Sequence, residues 1–308
     1  MLHFLHSLLL ILLCLADFSS AYVLPGMTPT DYDSYESVDL KVNKLTSVHT
    51  QLPYDYYSLK FCKPEGGVKN YAENLGELLS GDRIENSPYK LNMLQNVNCR
   101  ILCQSTLKEH NSKQMKRAIE RGYHHNWIID GLPSASIVDT EMSVVSDMTG
   151  FPVGYMEGKT AYIYNHVNIV LDYHEIPEGP NGAPVYRIVG FSTEPFSISH
   201  QFVGSTGWDG KGPSPPLSTC SESNALYYDD IKQHMAVPVA GPLIFTYSVL
   251  WQASDVRWAS RWDVYLQDNY TSAPDRVHWF SIVNSVMIVL FLATMVGMIL
   301  YRTLSGEI

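Results

Sequence analysis

Four cysteines are the residues whose type and spacing most clearly predict chemistry: Cys62, Cys99, Cys103 and Cys220. In an oxidising compartment, four cysteines predict up to two disulfides, with three full pairings to choose from. Cys99 and Cys103 would lie about 6 Å apart on a helix and about 13 Å apart on a strand. We therefore expect both to pair outward, to Cys62 and Cys220, which would close long loops.

Metal-binding and catalytic patterns are weak by comparison. The Cys99–Cys103 spacing has no second cysteine pair and no histidine at zinc spacing, which favours disulfides over zinc. His124 and His125 are adjacent and would point to opposite faces of a strand. Residues 161–173, 185–191 and 243–251 are rich in β-branched and aromatic residues and predict strands. His166 lies in the first of these runs, where we expect its ring to be hydrogen-bonded within the sheet. Nucleophile-elbow, calcium-loop and Walker sequences do not occur. We expect no catalytic residue, no metal site and no cofactor.

An apolar run near the N-terminus predicts the compartment. Residues 8–15 are uniformly apolar, and the small residues Ser19, Ser20 and Ala21 follow shortly after. Such a run is too short to span a bilayer and is typical of a signal peptide. We predict a signal peptide over residues 1–21, so that the mature chain begins in the lumen.

A second apolar run is long enough to cross a membrane. Residues 280–300 carry no charge and correspond to roughly 30 Å of helix. Trp279 and Tyr301 lie at its ends, where interfacial aromatic residues are common. We predict a transmembrane helix over residues 279–301 and a cytosolic tail over residues 302–308. Asn284 is the strongly polar side chain within this helix, and it favours contact with another helix or weak self-association.

Two further features lie just before the predicted span. Trp258 and Trp262 are four residues apart and would share one face of a helix. They could form a membrane-surface belt, a ridge that packs against other spans, or part of the core. Asn269 begins the one glycosylation sequon of the predicted mature chain, Asn-Tyr-Thr.

Composition limits the fold and the partners. The 308-residue chain has a net charge of −10, which argues against nucleic acid as a partner and against docking on anionic lipid. It is 17% charged and contains 20 tyrosines, a composition that suits β-sheet packing. We predict a mainly β fold, with an antiparallel sandwich-like domain over residues 22–278. The domain has one or two lobes, the second beginning near residues 147–158. It also has a short helix over residues 111–121, which Asn111 or Ser112 would cap.

The chain also resembles a known family, the transmembrane 9 superfamily or nonaspanins, along essentially its whole length. The stretch at 52–57, Leu-Pro-Tyr-Asp-Tyr-Tyr, indicates one branch of that family. The matching stretches are residues 22–26, 44–47, 50–62, 73–77, 81–84, 99–103, 245–249, 259–263, 278–285 and 302–305.

The resemblance carries expectations of its own. Family members have a lumenal N-terminal domain followed by nine spans, so we expect this chain to be truncated after the first span. The resemblance implies residence in Golgi and endosomal membranes and a role in sorting other membrane proteins, including those with glycine-rich spans. It also implies a part in adhesion or phagocytosis, and no enzymatic activity. The expected partners are the lipid bilayer and membrane-protein cargo.

Two other functions compete with cargo sorting. A β-sandwich could bind carbohydrate, for which exposed tryptophan or tyrosine platforms would be the marker. The domain could also form the cap of a multispan transporter, whose pathway would lie in further spans.

Overall fold

The structure is a computed structural model that describes residues 28–50, 52–71, 83–140, 143–147, 150–177, 179, 182–204, 208, 215–221, 233–263 and 279–305. The predicted signal peptide and Asn269 lie outside these residues. The chain divides into two compact units, Met1–Leu266 and Gln267–Ile308. Residues 147–158, where a second lobe was predicted to begin, fall within the first of these units.

The described residues form sixteen strands and two α-helices. The helices are α1 (Glu109–Glu120) and α2 (Trp279–Ser305), and short 3₁₀ turns occupy Tyr56–Ser58 and Trp258–Ser260. The strands are β1 (Ser37–Val38), β2 (Leu40–Ser47), β3 (Asn70–Tyr71), β4 (Ile84–Asn86), β5 (Leu91–Asn92), β6 (Val97–Leu107), β7 (Tyr123–Ile129), β8 (Leu132–Pro133), β9 (Ala135–Thr140), β10 (Ser143–Asp147), β11 (Phe151–Pro152), β12 (Gly154–Glu157), β13 (Thr160–Ile163), β14 (His166–Ile176), β15 (Val185–Phe196) and β16 (Gly241–Ala253).

The first large sheet has six strands in the order β10-β9-β15-β14-β16-β6. Most neighbours are antiparallel, but β14 pairs with β16 and β9 pairs with β15 in parallel. Residues 243–249 of β16 are buried without interruption, as expected of a central strand covered on both faces. The predicted strands over residues 185–191 and 243–251 lie within β15 and β16.

The second large sheet is antiparallel throughout its described strands. Its order is β11-β7-β2-β4-β3, and β8 pairs with β7. Two further strand pairs, β1 with β5 and β12 with β13, complete the β-rich unit. The mainly β prediction is confirmed, and the two parallel pairs make the first sheet mixed.

One apolar core is shared by the two large sheets. Ile169 and Tyr247 of the first sheet belong to the same buried cluster as Val42 and Trp127 of the second. Helix α1 contributes Met115, which is fully buried. Burial of each such large apolar side chain stabilises the fold by about 1.5–3 kcal/mol.

The long strand predicted over residues 161–173 is interrupted at Tyr164 and Asn165. The Asn165 amide donates to the carbonyl oxygens of Ile198 and Ile244 and accepts from the Ile198 amide. The Asn165 backbone bonds at the same time to Phe196 and Thr246. At this break the chain leaves β13, which pairs with β12, and enters β14 of the first large sheet.

Helix α2 is the candidate membrane span. Its residues Ile282–Ser305 are long and apolar enough to cross a membrane, and none is buried within the structure. At 1.5 Å per residue the whole helix is about 40 Å long. It extends four residues beyond the predicted end at Tyr301.

Candidate functional site

Both disulfides begin on strand β6. Cys62 bonds to Cys103 and Cys99 bonds to Cys220, with Cα–Cα distances of 5.8 and 5.9 Å. All four cysteines proposed from the sequence are bonded, and the two on β6 pair outward rather than with each other. By chain entropy, closing loops of 41 and 121 residues contributes about 4 and about 5 kcal/mol.

Cys99 lies where β6 departs from regular pairing. Its φ of 46° is in the left-handed region, and the register between β6 and β16 shifts between Tyr247 and Val249. The Cys99 amide donates to the Ser248 hydroxyl at 3.0 Å instead of to a backbone carbonyl. The Cys99–Cys220 bridge is therefore built into an irregular part of the sheet, beside the side chains of β16.

A buried histidine lies beside this irregularity. His166, at the start of β14, is fully buried, and its Nε2 is 3.0 Å from Asn168 Oδ1 and 3.3 Å from Ser248 Oγ. Asn168 Nδ2 donates to the Glu194 carboxylate at 3.3 Å. A carboxylate accepts only, so it fixes the amide orientation and turns Oδ1 toward His166. His166 therefore carries its proton on Nε2, and the predicted hydrogen-bonded state of this ring is confirmed.

The hydrogen bonds continue from His166 to a second histidine, His200. Since His166 Nδ1 has no proton, it accepts from the Thr246 hydroxyl at 2.7 Å. Thr246 Oγ1 then accepts from His200 Nε2 at 2.9 Å. His200 Nδ1, left without a proton, accepts from the Thr219 hydroxyl at 2.9 Å. We call His166, His200, Thr246 and Thr219 the histidine relay.

Burial keeps both relay histidines neutral. Desolvation lowers the pKa of His166 to about 4, although the Asn168 hydrogen bond opposes that shift. Desolvation, together with the nearby His166, lowers the pKa of His200 to about 3. Neutral imidazoles can accept a proton or bind a metal, but they do not attract an anion.

A third buried histidine packs among aromatic rings between the sheets. His125 stacks on Phe151 with centroids 4.6 Å apart and lies 4.8 Å from Phe61. Gly150 permits this approach, because a side chain there would collide with the His125 carbonyl oxygen. Burial lowers the pKa of His125 to about 3. The adjoining cavity is about 10 Å³, which is room for one water molecule at most, so we assign this cluster to the core.

A buried ion pair fixes the chain before α2. Arg261 is 2% exposed, and its Nη1 donates to Asp130 at 2.7 Å and to the Ile188 carbonyl at 3.2 Å. Its guanidinium also lies over the Trp258 ring, 4.5 Å from the centroid. Asp130, with φ 48°, and Gly131, with φ 73°, form the turn between β7 and β8.

The two tryptophans of this segment have different surroundings. Trp258 begins a short 3₁₀ turn and packs under Arg261, whereas Trp262 is 45% exposed. The segment begins with a 3₁₀ turn and not an α-helix, so the two side chains have separate surroundings. The membrane-interface or interhelical roles of Trp258 and Trp262 stay predictions.

Helix α2 exposes apolar side chains on all sides. Phe291 is 64% exposed and Met287 is 63% exposed, a pattern found in membrane spans rather than in surface helices of soluble domains. Asn284 is exposed within this apolar surface, and Tyr301 is 76% exposed near its end. Trp279 begins the helix. Their membrane-interface and interhelical roles stay predictions.

Comparison with known proteins places these features in a family. The chain is 42% identical over 295 residues to transmembrane 9 superfamily member 10 of Arabidopsis thaliana. This alignment covers 93% of this chain and 44% of that protein. It is 36% identical over 305 residues to transmembrane 9 superfamily member 4 of Homo sapiens, covering 94% and 45%. The model of the endomembrane protein 70 family matches residues 53–308. The chain belongs to this family, the transmembrane 9 superfamily.

The resemblance drawn from the sequence is thus confirmed, and the match covers both the β-rich unit and α2. Another transmembrane 9 relative, 38% identical over 307 residues, is named "Putative phagocytic receptor 1a" of Dictyostelium discoideum; the match covers 93% of this chain and 44% of that protein. The chain spans a little under half the length of the curated relatives it matches. These relatives are named as membrane proteins and not as enzymes.

Sequence reasoning missed two features of this transmembrane 9 domain. The Asp130–Arg261 pair joins residues 131 positions apart, and the Thr219 and His200 contacts depend on which strands become neighbours. The one available signal was Arg261 itself, a cation set between Trp258 and Trp262. A charge among large aromatic residues can mark a buried, paired side chain as well as a membrane-proximal one.

Proposed function

We propose that this chain is a non-enzymatic membrane protein of the Golgi and endosomal system that helps to sort other membrane proteins. The main observation behind this proposal is that a disulfide-bonded β-rich unit and an apolar helix long enough to cross a membrane follow one another in the same chain. Membership of the transmembrane 9 superfamily supports it.

The disulfides support a lumenal position for the β-rich unit. Disulfides persist in oxidising compartments and are rare in the cytosol. Two of them, both beginning on β6, favour a folded domain that enters the secretory pathway. With that domain in the lumen, the residues after α2 lie in the cytosol.

The buried contacts of Arg261 with Asp130 and Trp258 support a role close to the membrane. They hold residues 258–261 against the turn of β7 and β8, and 17 residues of sequence lie between this segment and α2. A domain joined to a membrane span by so short a stretch would meet the lumenal parts of neighbouring membrane proteins. Cargo with glycine-rich spans is the proposed partner class, because small residues allow close helix approach.

A matched pair of cargo reporters tests this proposal. Both carry the same lumenal and cytosolic parts, and they differ only in a span that is glycine-rich in one and has those glycines replaced by leucine in the other. In cells that lack this chain, the glycine-rich reporter should be mislocalised and the leucine reporter should not. Re-expression should restore the first. Equal behaviour of the two reporters with and without the chain would contradict cargo sorting, and specific retention on a glycan array would favour carbohydrate binding instead.

A further inference from the structure

Three side chains around the second disulfide have the composition of a metal site. His166, His200 and Cys220 each offer one ligand atom, and these atoms all lie within 4.8 Å of one another. In the structure Cys220 is bonded to Cys99, so its sulfur is not a thiolate. The disulfide occupies the position that a third metal ligand would fill.

The two histidines already face a common point. His166 Nδ1 and His200 Nε2 both contact the Thr246 hydroxyl, at 2.7 and 2.9 Å. Zinc binds nitrogen at about 2.0–2.1 Å and sulfur at about 2.3 Å. Ligand atoms that span 4.8 Å would each need to move less than about 1 Å toward a shared centre to reach those distances. With these two nitrogens as ligands, the Thr246 side chain would turn its hydroxyl away from between the rings as the ion binds.

The outer nitrogens of both rings already have second partners. His166 Nε2–H donates to Asn168, which is held in turn by Glu194. His200 Nδ1 contacts the Thr219 hydroxyl, which can accept once that nitrogen carries the proton. Metal-bound histidines almost always donate their other N–H to such a partner, and the partner orients the ring.

We propose that His166, His200 and Cys220 form a redox-gated site for a zinc-class divalent ion. A dithiol reductant transfers two electrons and two protons to the Cys99–Cys220 bond, which breaks to give two thiols while the reductant closes its own disulfide. The Cys220 thiol releases its proton to solvent as the sulfur binds the ion. Two imidazoles and one thiolate leave the fourth tetrahedral position for water.

The strongest test compares two variants that break the same bond. Cys99→Ser frees the Cys220 thiol without any reductant, whereas Cys220→Ser removes the ligand and leaves Cys99. Each full chain is purified in detergent and titrated with Co²⁺, whose visible absorption and thiolate charge-transfer band report tetrahedral sulfur ligation. Cys99→Ser should bind one Co²⁺ with a thiolate signal, and Zn²⁺ should displace it. Cys220→Ser and the oxidised natural chain should show no such signal.

A second comparison covers the case in which these variants fail to fold. The natural chain is reduced with a phosphine and titrated with Zn²⁺ by competition, alongside His200→Gln and His174→Gln. His174 lies on β14 and contacts the Ser254 carbonyl, outside the cluster. His200→Gln should weaken binding by more than the roughly 10–100-fold that loss of an outer-shell partner causes, and His174→Gln should not change it. A reduced chain without thiolate-bound Co²⁺, or equal Zn²⁺ affinity in the two variants, would overturn the site.

Discussion

At the scale of single residues, burial sets the charge of the histidines. His125 and His166 are both fully enclosed, and their pKa values fall to about 3 and about 4. In the unfolded chain a histidine has a pKa of about 6.5. Between these values the unfolded state binds more protons than the folded state, so the free energy of unfolding decreases as the pH falls below about 6.5.

This linkage predicts acid sensitivity of a stated size. Each buried histidine should contribute up to about 1.4 kcal/mol of lost stability per pH unit between pH 6.5 and its folded pKa. The measurement is urea unfolding of the oxidised full chain at pH 7.5 and pH 5, followed by tryptophan fluorescence. His125→Phe, which keeps an aromatic ring beside Phe151, should reduce the pH dependence of the free energy of unfolding by up to about 1.4 kcal/mol per pH unit. His110→Gln, at an exposed position of α1, is the control, and an unchanged slope in His125→Phe would contradict the assignment.

The Arg261 ion pair gives a second prediction at this scale. Asp130→Asn leaves a buried guanidinium without its countercharge, so we expect a loss of about 3–5 kcal/mol in the free energy of unfolding. Glu109→Gln removes the exposed partner of Lys113 and should cost at most about 0.5 kcal/mol. Adding Arg261→Met to Asp130→Asn removes the unpaired charge and keeps a residue that tolerates φ 48° at position 130, so it should recover much of the loss. Equal denaturation midpoints for Asp130→Asn and Glu109→Gln would show that the pair does not anchor the chain.

At the scale of elements, local patterns predicted helix α1 and missed the break before β14. Met115 and Ile119 form an inward stripe, and Gly122, with φ 61°, follows the end of the helix. The observed bounds differ from the predicted ones by two residues at the start and one at the end. Ser112, proposed as a cap, instead lies buried and donates to the Pro238 carbonyl, a contact that only the tertiary fold creates.

The break at Asn165 had no local signal. The sequence around it is β-branched and aromatic and reads as one strand. Its side-chain partners, Ile198 and Ile244, lie 33 and 79 residues away along the chain. Those carbonyl oxygens hold the Asn165 side chain at the break, and their positions are known only once the sheet is assembled.

Helix α2 carries the prediction at this scale. The Asn284 amide lies on an apolar helix, and an amide in hydrocarbon favours a hydrogen-bonded partner helix. Asn284→Leu should weaken self-association of the full chain in bilayers by about threefold, the equivalent of the roughly 0.6 kcal/mol measured for interhelical hydrogen bonds. The dimerisation constant is obtained by measuring the fraction of crosslinked dimer as a function of the protein-to-lipid ratio.

A control for this prediction lies three turns along the same helix. The Thr294 hydroxyl donates to the Phe291 carbonyl of its own helix at 2.8 Å, so Thr294→Val removes a polar group that is already paired. Self-association should not change in this variant. If Thr294→Val and Asn284→Leu weaken the dimer equally, the Asn284 amide does not specifically stabilise it.

At the scale of the whole molecule, the sequence was enough to predict the fold class and the candidate span, but not the arrangement of the strands. Composition predicted a mainly β unit, and an uncharged run predicted α2. The parallel pairing of β14 with β16 depends on long-range contacts, and no alternation within either strand specifies its neighbour. The histidine relay follows from that pairing, since β14 supplies His166 and β16 supplies Thr246.

The central claim is that the disulfide-bonded β-rich unit is lumenal and that α2 crosses the membrane. Protease protection of sealed microsomes, with one epitope within residues 28–263 and another after Ile308, tests it most directly. Protease added outside should remove the C-terminal epitope and leave the first intact until detergent opens the vesicles. Digestion of the β-rich unit in sealed microsomes, or protection of both epitopes, would contradict the claim.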